Sequence, residues 1–571
     1  MRVRDVDLEA VARLQAALRV RPATARCLAG RGVGEPDDAR RYLEPRLGGL
    51  RRPEGLAGFH DAVERVVRAV VTGERVGVFG DYDVDGVTTA ALFTSFLGAV
   101  GVAVEARVAR RDAGYGFGEA DAAHFAATGC QLVITGDCGT SDLVAVAAAR
   151  AAGMDVVVVD HHTVPPADTP HPANVLVNPF RADSTFPFRG LASVGLAFYL
   201  VAAVRTRLDE QGWFEGARAA SRPDVRELLD LVALGTVADL VPLRGENRIL
   251  ARFGIERLAS GPRPGVAALL RSAGVDPMRP IDERTVAWKL APRLNAPGRL
   301  GDADPSLRLL LAPADQADRW ATALEEANAS RRELQDRVLE EALGMLDGHE
   351  PGPAIVVAGR GWPAGVVGIV AAKLVDLYRR PSFVVAIDPD TGVGRGSART
   401  AGGVDLYRAL AACAPRMVRF GGHAAAAGLT IDEAEIDALR DELGAAVAAQ
   451  VGEQAGADDD QLECDAEVRL DEVDERLVGE LGALAPFGQG NGAPLLVARR
   501  LIVRSSRRVG DGSHLKLEVE DAGVVRGAIA FSMGELDPGA GARVDLAFTP
   551  VASVWQGQRR VELEVKALAR P

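Results

Sequence analysis

A chain of 571 residues is too long for one ordinary hydrophobic core and calls for three or four packed units. Its 48% hydrophobic and 25% charged residues exclude a disordered chain, and a formal net charge of −13 excludes a protein that coats nucleic acid through its overall field, so any such contact must use a local basic groove. Five cysteines without CxxC spacing exclude a disulfide framework and a zinc ribbon; with no run of eighteen apolar residues and no signal-peptide stretch after Met1, a cytoplasmic protein with reduced thiols and no membrane partner is expected.

Residues 1 to about 53 are arginine-rich with helical spacing and lead into a helix-like stretch from Ala62 to Val71, an N-terminal helical collar. From Glu74 apolar strands alternate with alanine-rich helices, the strands being Val76 to Phe79, Leu132 to Ile134 and Val156 to Val159. This alternation predicts a parallel α/β sheet, in which ligands gather beyond the carboxyl ends of the strands. Each strand runs directly into acid: Gly80-Asp81-Tyr82-Asp83-Val84-Asp85-Gly86 after the first, Asp137 after the second, Asp160-His161-His162 after the third. The apolar run Leu228 to Ala238 then delivers Asp239. Neither Pro nor Gly occurs between Asp315 and Leu343, which predicts a long helix from about Pro313 to Leu346 as a spacer between domains. A second α/β texture opens at Ala354-Ile355-Val356-Val357 and closes at Phe420-Gly421-Gly422-His423. Beyond an acidic stretch between Asp432 and Glu480, residues 495–571 alternate in short strands, among them Leu515 to Val519 and Val561 to Val565, and read as a small β-barrel.

Asp81, Asp83 and Asp85 alternate in a tight turn before a helix expected to start near Val87. One aspartate there would cap the helix, and Asp85 beside Gly86 suits that duty. Three exceed it, and crowded carboxylates repel unless cations neutralise them. Asp160-His161-His162 offers one imidazole as a ligand and one to meet a phosphate. Asp137 reads as a strand-end turn residue or as a bridging ligand. Asp239, expected to be largely buried, needs a cation or an arginine, with Arg248 as the candidate arginine. Hard-oxygen and imidazole groups of this kind hold pairs of divalent cations, which split phosphoesters without a protein nucleophile. In the barrel, Arg499, Arg500, Arg504, Arg507, Arg508, His514 and Lys516 would form an electrostatic funnel for a single strand, and Phe531 or Trp555 either stack a base or fill the core.

Together the Gly80–Gly86 turn, Asp137-Cys138-Gly139, Asp160-His161-His162 and Thr236-Val237-Ala238-Asp239 resemble the four signatures of the DHH phosphoesterase superfamily. Five later segments narrow this: Ala291-Pro292-Arg293-Leu294-Asn295-Ala296, Gly298-Arg299-Leu300, Gly396-Ser397-Ala398-Arg399, Phe420-Gly421-Gly422-His423 and Ala485-Pro486-Phe487-Gly488-Gln489-Gly490-Asn491. In that order they resemble the RecJ family of single-strand-specific exonucleases, over nearly the whole chain from the Tyr42-Leu43 region onward. The resemblance implies an α/β protein made of an N-terminal helical segment (1–55), a parallel-sheet DHH catalytic domain (56–312), a connecting helix (313–348), a smaller α/β DHHA1 substrate-binding domain (349–452) and a C-terminal β-barrel, an OB-fold that binds nucleic acid (453–571), around a channel too narrow for duplex.

The implied activity is a 5′→3′ exodeoxyribonuclease that hydrolyses single-stranded DNA to 5′-mononucleotides with two Mn²⁺ or Mg²⁺ ions, in DNA repair and recombination, beside a single-strand-binding protein and a helicase. Carried over by motif, Asp83, Asp85, Asp137, His161 and Asp239 would be catalytic metal ligands, His162 would ligate or touch the scissile phosphate, and Asp81 would support. Arg110, four residues before Gly114-Tyr115-Gly116, matches the arginine of the family's phosphate pocket; Arg299, Ser397, Arg399 and His423 would grip substrate phosphates. Three positions depart from the family pattern: Pro363 in place of a histidine, Phe180 in place of a polar residue and Ser193 in place of a glycine. Two other readings are a DHH-type hydrolase of pyrophosphate, cyclic dinucleotides or short oligonucleotides, against which the segment after Asn491 speaks, and a catalytically silent DNA-binding relative, against which the full set of acids speaks.

Overall fold

The computed structural model of the chain describes residues 1–111, 114, 116–165, 170–347, 351–401, 403–454, 462–555 and 558–571; the side chains of 220–221, 453–454, 554–555 and 558–559 also lie outside the description. Two compact units emerge, and they do not follow chain order. One is Pro53–Asp239 with Gly254–Asp459, the other Met1–Arg52 with Leu240–Phe253 and Asp460–Pro571.

In the first unit, strands β1 (Val76–Gly80), β2 (Val104–Val108), β3 (Leu132–Gly136), β4 (Asp155–Val159) and β5 (Val175–Val177) form an all-parallel sheet in the order β2-β1-β3-β4-β5. The central strands are buried along their whole length, which is why they read as continuous valine-rich runs rather than alternating ones. The parallel register aligns their ends, Gly80 opposite Gly136 and Gly136 opposite Val159, so the residues that follow leave the sheet side by side. Helix α1 (Val84–Ala99) starts three residues earlier than its apolar pattern suggests, because Asp83 rather than Asp85 is its N-cap and accepts from the Gly86 amide at 3.1 Å.

The first half of this unit also holds the helix Phe59–Thr72, which bears out the helix-like stretch from Ala62 to Val71, and helices α2 (Ser193–Glu210), α3 (Leu229–Ala238) and α4 (Ala291–Leu300), among others. Helix α5 (Ala314–Leu346) is the long connector expected from sequence. Arg293 of α4 pairs with Glu325 on it, and further along Glu341 accepts from the Trp362 indole N–H at 2.6 Å. Val338 and Ala342 pack with Ile355 and Val370 of the next layer. That layer is a mixed five-stranded sheet of β6 (Ile355–Arg360), β7 (Ser382–Ile387), β8 (Val393–Arg399), β9 (Arg419–Gly422) and β10 (Ala426–Asp432), in the order β9-β10-β8-β7-β6, with α6 (Val367–Tyr378) against it. The Gly-rich Phe420–Gly422 segment is thus the end of a strand.

In the second unit, β11 (Leu496–Val509), β12 (His514–Asp521), β13 (Val524–Ala530), β14 (Arg543–Trp555) and β15 (Gln558–Ala569) pair in a ring, with β11 bonded to both β12 and β14, and so close a five-stranded barrel. Alternation sets its faces: Leu515, Leu517 and Val519 point inward, Lys516, Glu518 and Glu520 outward. Three N-terminal helices, Leu8–Leu18, Pro22–Gly30 and Pro36–Leu43, share the barrel's apolar core, where Leu14, Cys27 and Leu28 meet Leu481, Leu496 and Phe548. Arg2–Val3 also pairs in parallel with Glu463–Cys464. Amphipathic spacing reveals that the collar has an apolar face, but the partner of that face lies more than four hundred residues away. All five cysteines are free and buried. Among the described residues no helix is long and apolar enough to cross a membrane.

Candidate metal centre and phosphate cleft

The strand-end acids converge. Three sets of side chains each offer ligand atoms lying within 4.8 Å of one another: Asp81, Asp83 and Asp137; Asp85, His161 and Asp239; Asp137, His161 and His162. His161 Nε2 lies 3.3 Å from Asp137 Oδ1 and 3.4 Å from Asp239 Oδ2. The turn after β1 can carry three carboxylates because glycine brackets it: a Cβ on Gly80 would lie 2.2 Å from the Gly86 carbonyl oxygen, and one on Gly86 would lie 2.4 Å from the Asp81 nitrogen. Asp137 has a left-handed backbone, φ 62°, a conformation that Asp tolerates better than most residues and that turns the chain sharply off the strand.

These carboxylates pay heavily for their position. Burial and the nearby Asp83 push Asp81 well above the usual carboxylate range, and burial with Asp83, Asp85 and Asp239 does the same to Asp137. Asp85 rises to about 7 and Asp239 to about 9, through burial and then neighbouring carboxylates. Asp81 Oδ1 and Asp239 Oδ2 are buried without a hydrogen-bond partner. Buried acids crowded in this way, with oxygens left over, have the donor chemistry that divalent cations require, and cations remove the repulsion. Asp239 is less enclosed than its apolar approach suggests, with a fifth of its side chain exposed. Arg248, the arginine expected to hold it, instead donates to the carbonyls of Ala483 and Ala485 and lies over the Tyr42 ring.

Asp160 serves differently. It accepts from the amides of Thr140, His161 and His162 and from His162 Nδ1 at 2.8 Å. Burial alone would raise it, but the hydrogen bond and charge of His162 hold it well below the ordinary range. In return, and against the effect of burial, Asp160 lifts His162 to about 9. Burial and the neighbouring His162 charge lower His161 to about 4. The two imidazoles are thus pushed in opposite directions, His161 towards the neutral form that a ligand needs and half-exposed His162 towards the cationic form that suits an anion.

Beside this cluster lies a cleft of ≈ 360 Å³ lined by Tyr82, Arg111, Arg299, Arg395, Ser397 and Arg399, among others. Arg111 lies over the Tyr82 ring, 4.1 Å from its centroid, and donates to the Gly298 carbonyl. Arg399 donates to Ser397 Oγ and to the Ala398 carbonyl. Arg299 donates to the Gly365 carbonyl at 3.2 Å; burial and the charges of Arg111, Arg331 and Arg399 lower it to about 10. A Cβ on Gly365 would lie 1.9 Å from the Arg299 carbonyl oxygen, so the two sides of the cleft meet main chain against main chain. Gly368, in the first turn of α6, likewise leaves room for Ser397 and Arg399.

Two expected residues stand outside this lining. Arg110 is half-exposed, approaches Asp302 at 3.9 Å and bridges to it through its backbone, while the next residue, Arg111, lines the cleft. His423 sits exposed in the turn between β9 and β10, outside the cleft lining. Tyr115, in the motif that drew attention to Arg110, lies outside the described residues. Arg331 on α5, whose charge reaches Arg299, stands outside that lining and donates to Asn328 and Gln335 of its own helix. Of the family departures, Phe180 is exposed, Pro363 lies in the turn leading to α6, and Ser193 is fully buried against the acids.

Three of the seven barrel candidates stand beside acids: Arg499 pairs with Glu467 and Asp545, Arg504 with Glu520, and Lys516 comes within 3.9 Å of Glu562. Arg507 and Arg508 remain exposed, and half-exposed Phe531 makes an edge contact with His514. The Trp555 side chain lies outside the described residues.

Three family profiles match in chain order: the N-terminal domain of the DHH family over 75–236, the DHHA1 domain over 339–449 and the RecJ OB domain over 464–567. The single-stranded-DNA-specific exonuclease RecJ of Dickeya dadantii is 37% identical over 564 residues, covering 95% of each chain. The chain belongs to the RecJ family. The RecJ of Bacillus subtilis is 32% identical over 99% of this chain and 70% of its own. Among solved structures, RecJ from Thermus thermophilus in complex with Mn²⁺ superposes with a TM-score of 0.83 at 28% identity, over 100% of this chain and 79% of that one. The RecJ family fold therefore accounts for the full length: parallel-sheet DHH part, DHHA1 part and OB barrel.

Proposed function

We propose that this chain is a metal-dependent, single-strand-specific 5′→3′ exodeoxyribonuclease that releases 5′-mononucleotides and acts in DNA repair and recombination. The observation that carries this reading is the turn Asp81-Tyr82-Asp83, whose two acids join the carboxylate cluster while the residue between them lines the arginine cleft. One turn thus serves both places, so an anion gripped in the cleft lies next to the acids. A terminal phosphate anchored there presents the next linkage for hydrolysis, and one nucleotide leaves at a time.

Asp81, Asp83, Asp85, Asp137, His161 and Asp239 would hold two Mn²⁺ or Mg²⁺ ions, as the RecJ structures with those ions support. Held by these residues, such ions would activate a water as nucleophile and would offset charge on the phosphoryl oxygens. His162, held cationic by Asp160, donates from Nε2 to a phosphate oxygen. Arg111, Arg299, Ser397 and Arg399 bind the terminal phosphate and fix its direction, aided by the N-terminus of α6. The five parts 1–55, 56–312, 313–348, 349–452 and 453–571 then act as collar, catalytic domain, connector, substrate-binding domain and nucleic-acid-binding barrel. Because the substrate must already be unpaired, a helicase and a single-strand-binding protein are its partners.

The test is digestion of long single strands labelled at either end, with and without Mn²⁺, beside a duplex and a dinucleotide. Release of 5′-labelled mononucleotide from single strands, only with the cation, is expected. Consumption of the dinucleotide alone would overturn the reading.

A further inference from the structure

The first turn of α2 is aimed at two of the buried acids. The Ser193 amide donates to Asp85 Oδ2 at 2.7 Å and the Val194 amide to Asp85 Oδ1 at 3.0 Å. The Ser193 hydroxyl donates to Asp137 Oδ1 at 3.1 Å. Ser193 is fully buried. Serine near a helix start ordinarily turns its oxygen back to cap the helix's own amides. Here the helix has no side-chain cap at Ala192, and the Ser193 hydroxyl goes to a carboxylate from a different element. Asp137 needs such a hold: with φ at 62° it has left the strand, so the sheet no longer dictates where its side chain points.

We propose that Ser193 is a positioning residue for cation binding, whose hydroxyl fixes the Asp137 carboxylate while its amide and that of Val194 fix Asp85, leaving the remaining lone pairs of both acids turned to the cations. The inference rests on reading the acid cluster as a divalent-cation centre. Each carboxylate oxygen has two lone pairs, so one donor per oxygen orients the group without using up its capacity as a ligand. Groups that orient ligands in this way are worth roughly 10–100-fold in metal affinity. The two acids are not equivalent. Asp85 is held by main-chain donors that any residue at 193 and 194 other than proline would supply, whereas the hold on Asp137 comes from a side chain and is lost with one substitution.

The experiment measures Mn²⁺ binding to the full chain from the paramagnetic resonance signal of the free ion, together with the melting temperature with and without Mn²⁺, for the parent, Ser193→Ala, Ser193→Gly and Asp137→Asn. For both Ser193 variants the Mn²⁺ dissociation constant is expected to rise about tenfold and the Mn²⁺-induced gain in melting temperature to shrink, while the cation-free melting temperature stays close to that of the parent. Parent-like Mn²⁺ affinity in either folded Ser193 variant overturns the proposal, as does a fall in cation-free melting temperature with unchanged affinity, which would make Ser193 a packing residue only. Parent-like binding by Asp137→Asn sinks the cation-centre reading itself, an outcome separate from the first two.

Discussion

Two regions of the chain carry dense charge of one sign in sequence, and they end up in opposite states. The acids after β1, β3 and β4 are driven into a common buried space with oxygens left unpartnered, whereas Arg499, Arg504 and Lys516 of the barrel face solvent beside acids of their own. The difference lies in the backbone beneath them. Parallel register brings three strand ends together whatever side chains follow, so repulsion there cannot be relieved by moving apart. On the outside of the barrel long side chains can reach sideways to acids of neighbouring strands, as Arg504 does to Glu520, Arg499 to Asp545 and Lys516 towards Glu562. Charge density alone is therefore a poor sign of function; charge that the fold prevents from being neutralised is a good one.

The sharpest way to break this contrast is Asp137→Asn, an amide of the same shape that tolerates the left-handed backbone. Hydrolysis should fall on the order of a thousandfold, measured by release of labelled nucleotide, while single-strand binding in filter assays persists. The cation-free protein should melt close to the parent, because a carboxyl that burial already pushes towards its neutral form is exchanged for a neutral amide of the same shape. Next comes Arg399→Ala. Losing one charged donor in the cleft should cost about 2 kcal/mol, roughly thirtyfold in kcat/KM, on a 5′-phosphorylated strand and far less on the same strand ending in a hydroxyl. An equal loss on both would detach the cleft from the terminal phosphate.

A third test uses pH. In the cation-free protein Asp85 and Asp239 are raised to about 7 and about 9, so between the unfolded carboxylate range near 4 and pH 9 the native state holds protons that the unfolded state has released. The sign is thus negative: cation-free stability falls as pH rises through that window. Cations displace those protons, so the Mn²⁺-induced gain in melting temperature should grow from pH 6 to pH 9; a constant gain would show that these acids lie outside the cation site. The smallest effect belongs to the barrel. Arg507→Ala with Arg508→Ala should weaken binding of long strands and lower the slope of log affinity against log salt by about 1.4, whereas Arg504→Ala, already paired with Glu520, should leave it unchanged.

What the sequence reveals follows the same physics. The order of strands and acids, the long helix and the alternating barrel strands are local patterns, and each was legible. The place of Arg111 in the cleft lining was not, because strand periodicity ends at Val108 and the chain beyond it is set by a bridge from Arg110 to Asp302. Nor was the cap: Asp83 and Asp85 are equally suited by composition, and only the α2 amides reaching Asp85 settle that Asp83 closes the helix. The shared core of the N-terminal helices and the barrel depends on contacts across hundreds of residues, for which no sequence period exists.

The main-chain abutment of Gly365 on Arg299 has a consequence for how such a protein can change over generations. Where the two walls touch there is no space for even a methyl group, so any larger residue at 365 would wedge them apart. Lineages can re-dress the lining at Arg111, Ser397 or Arg399 and so alter what ends of a strand are welcomed, while the point of contact itself yields only to a shift of main chain.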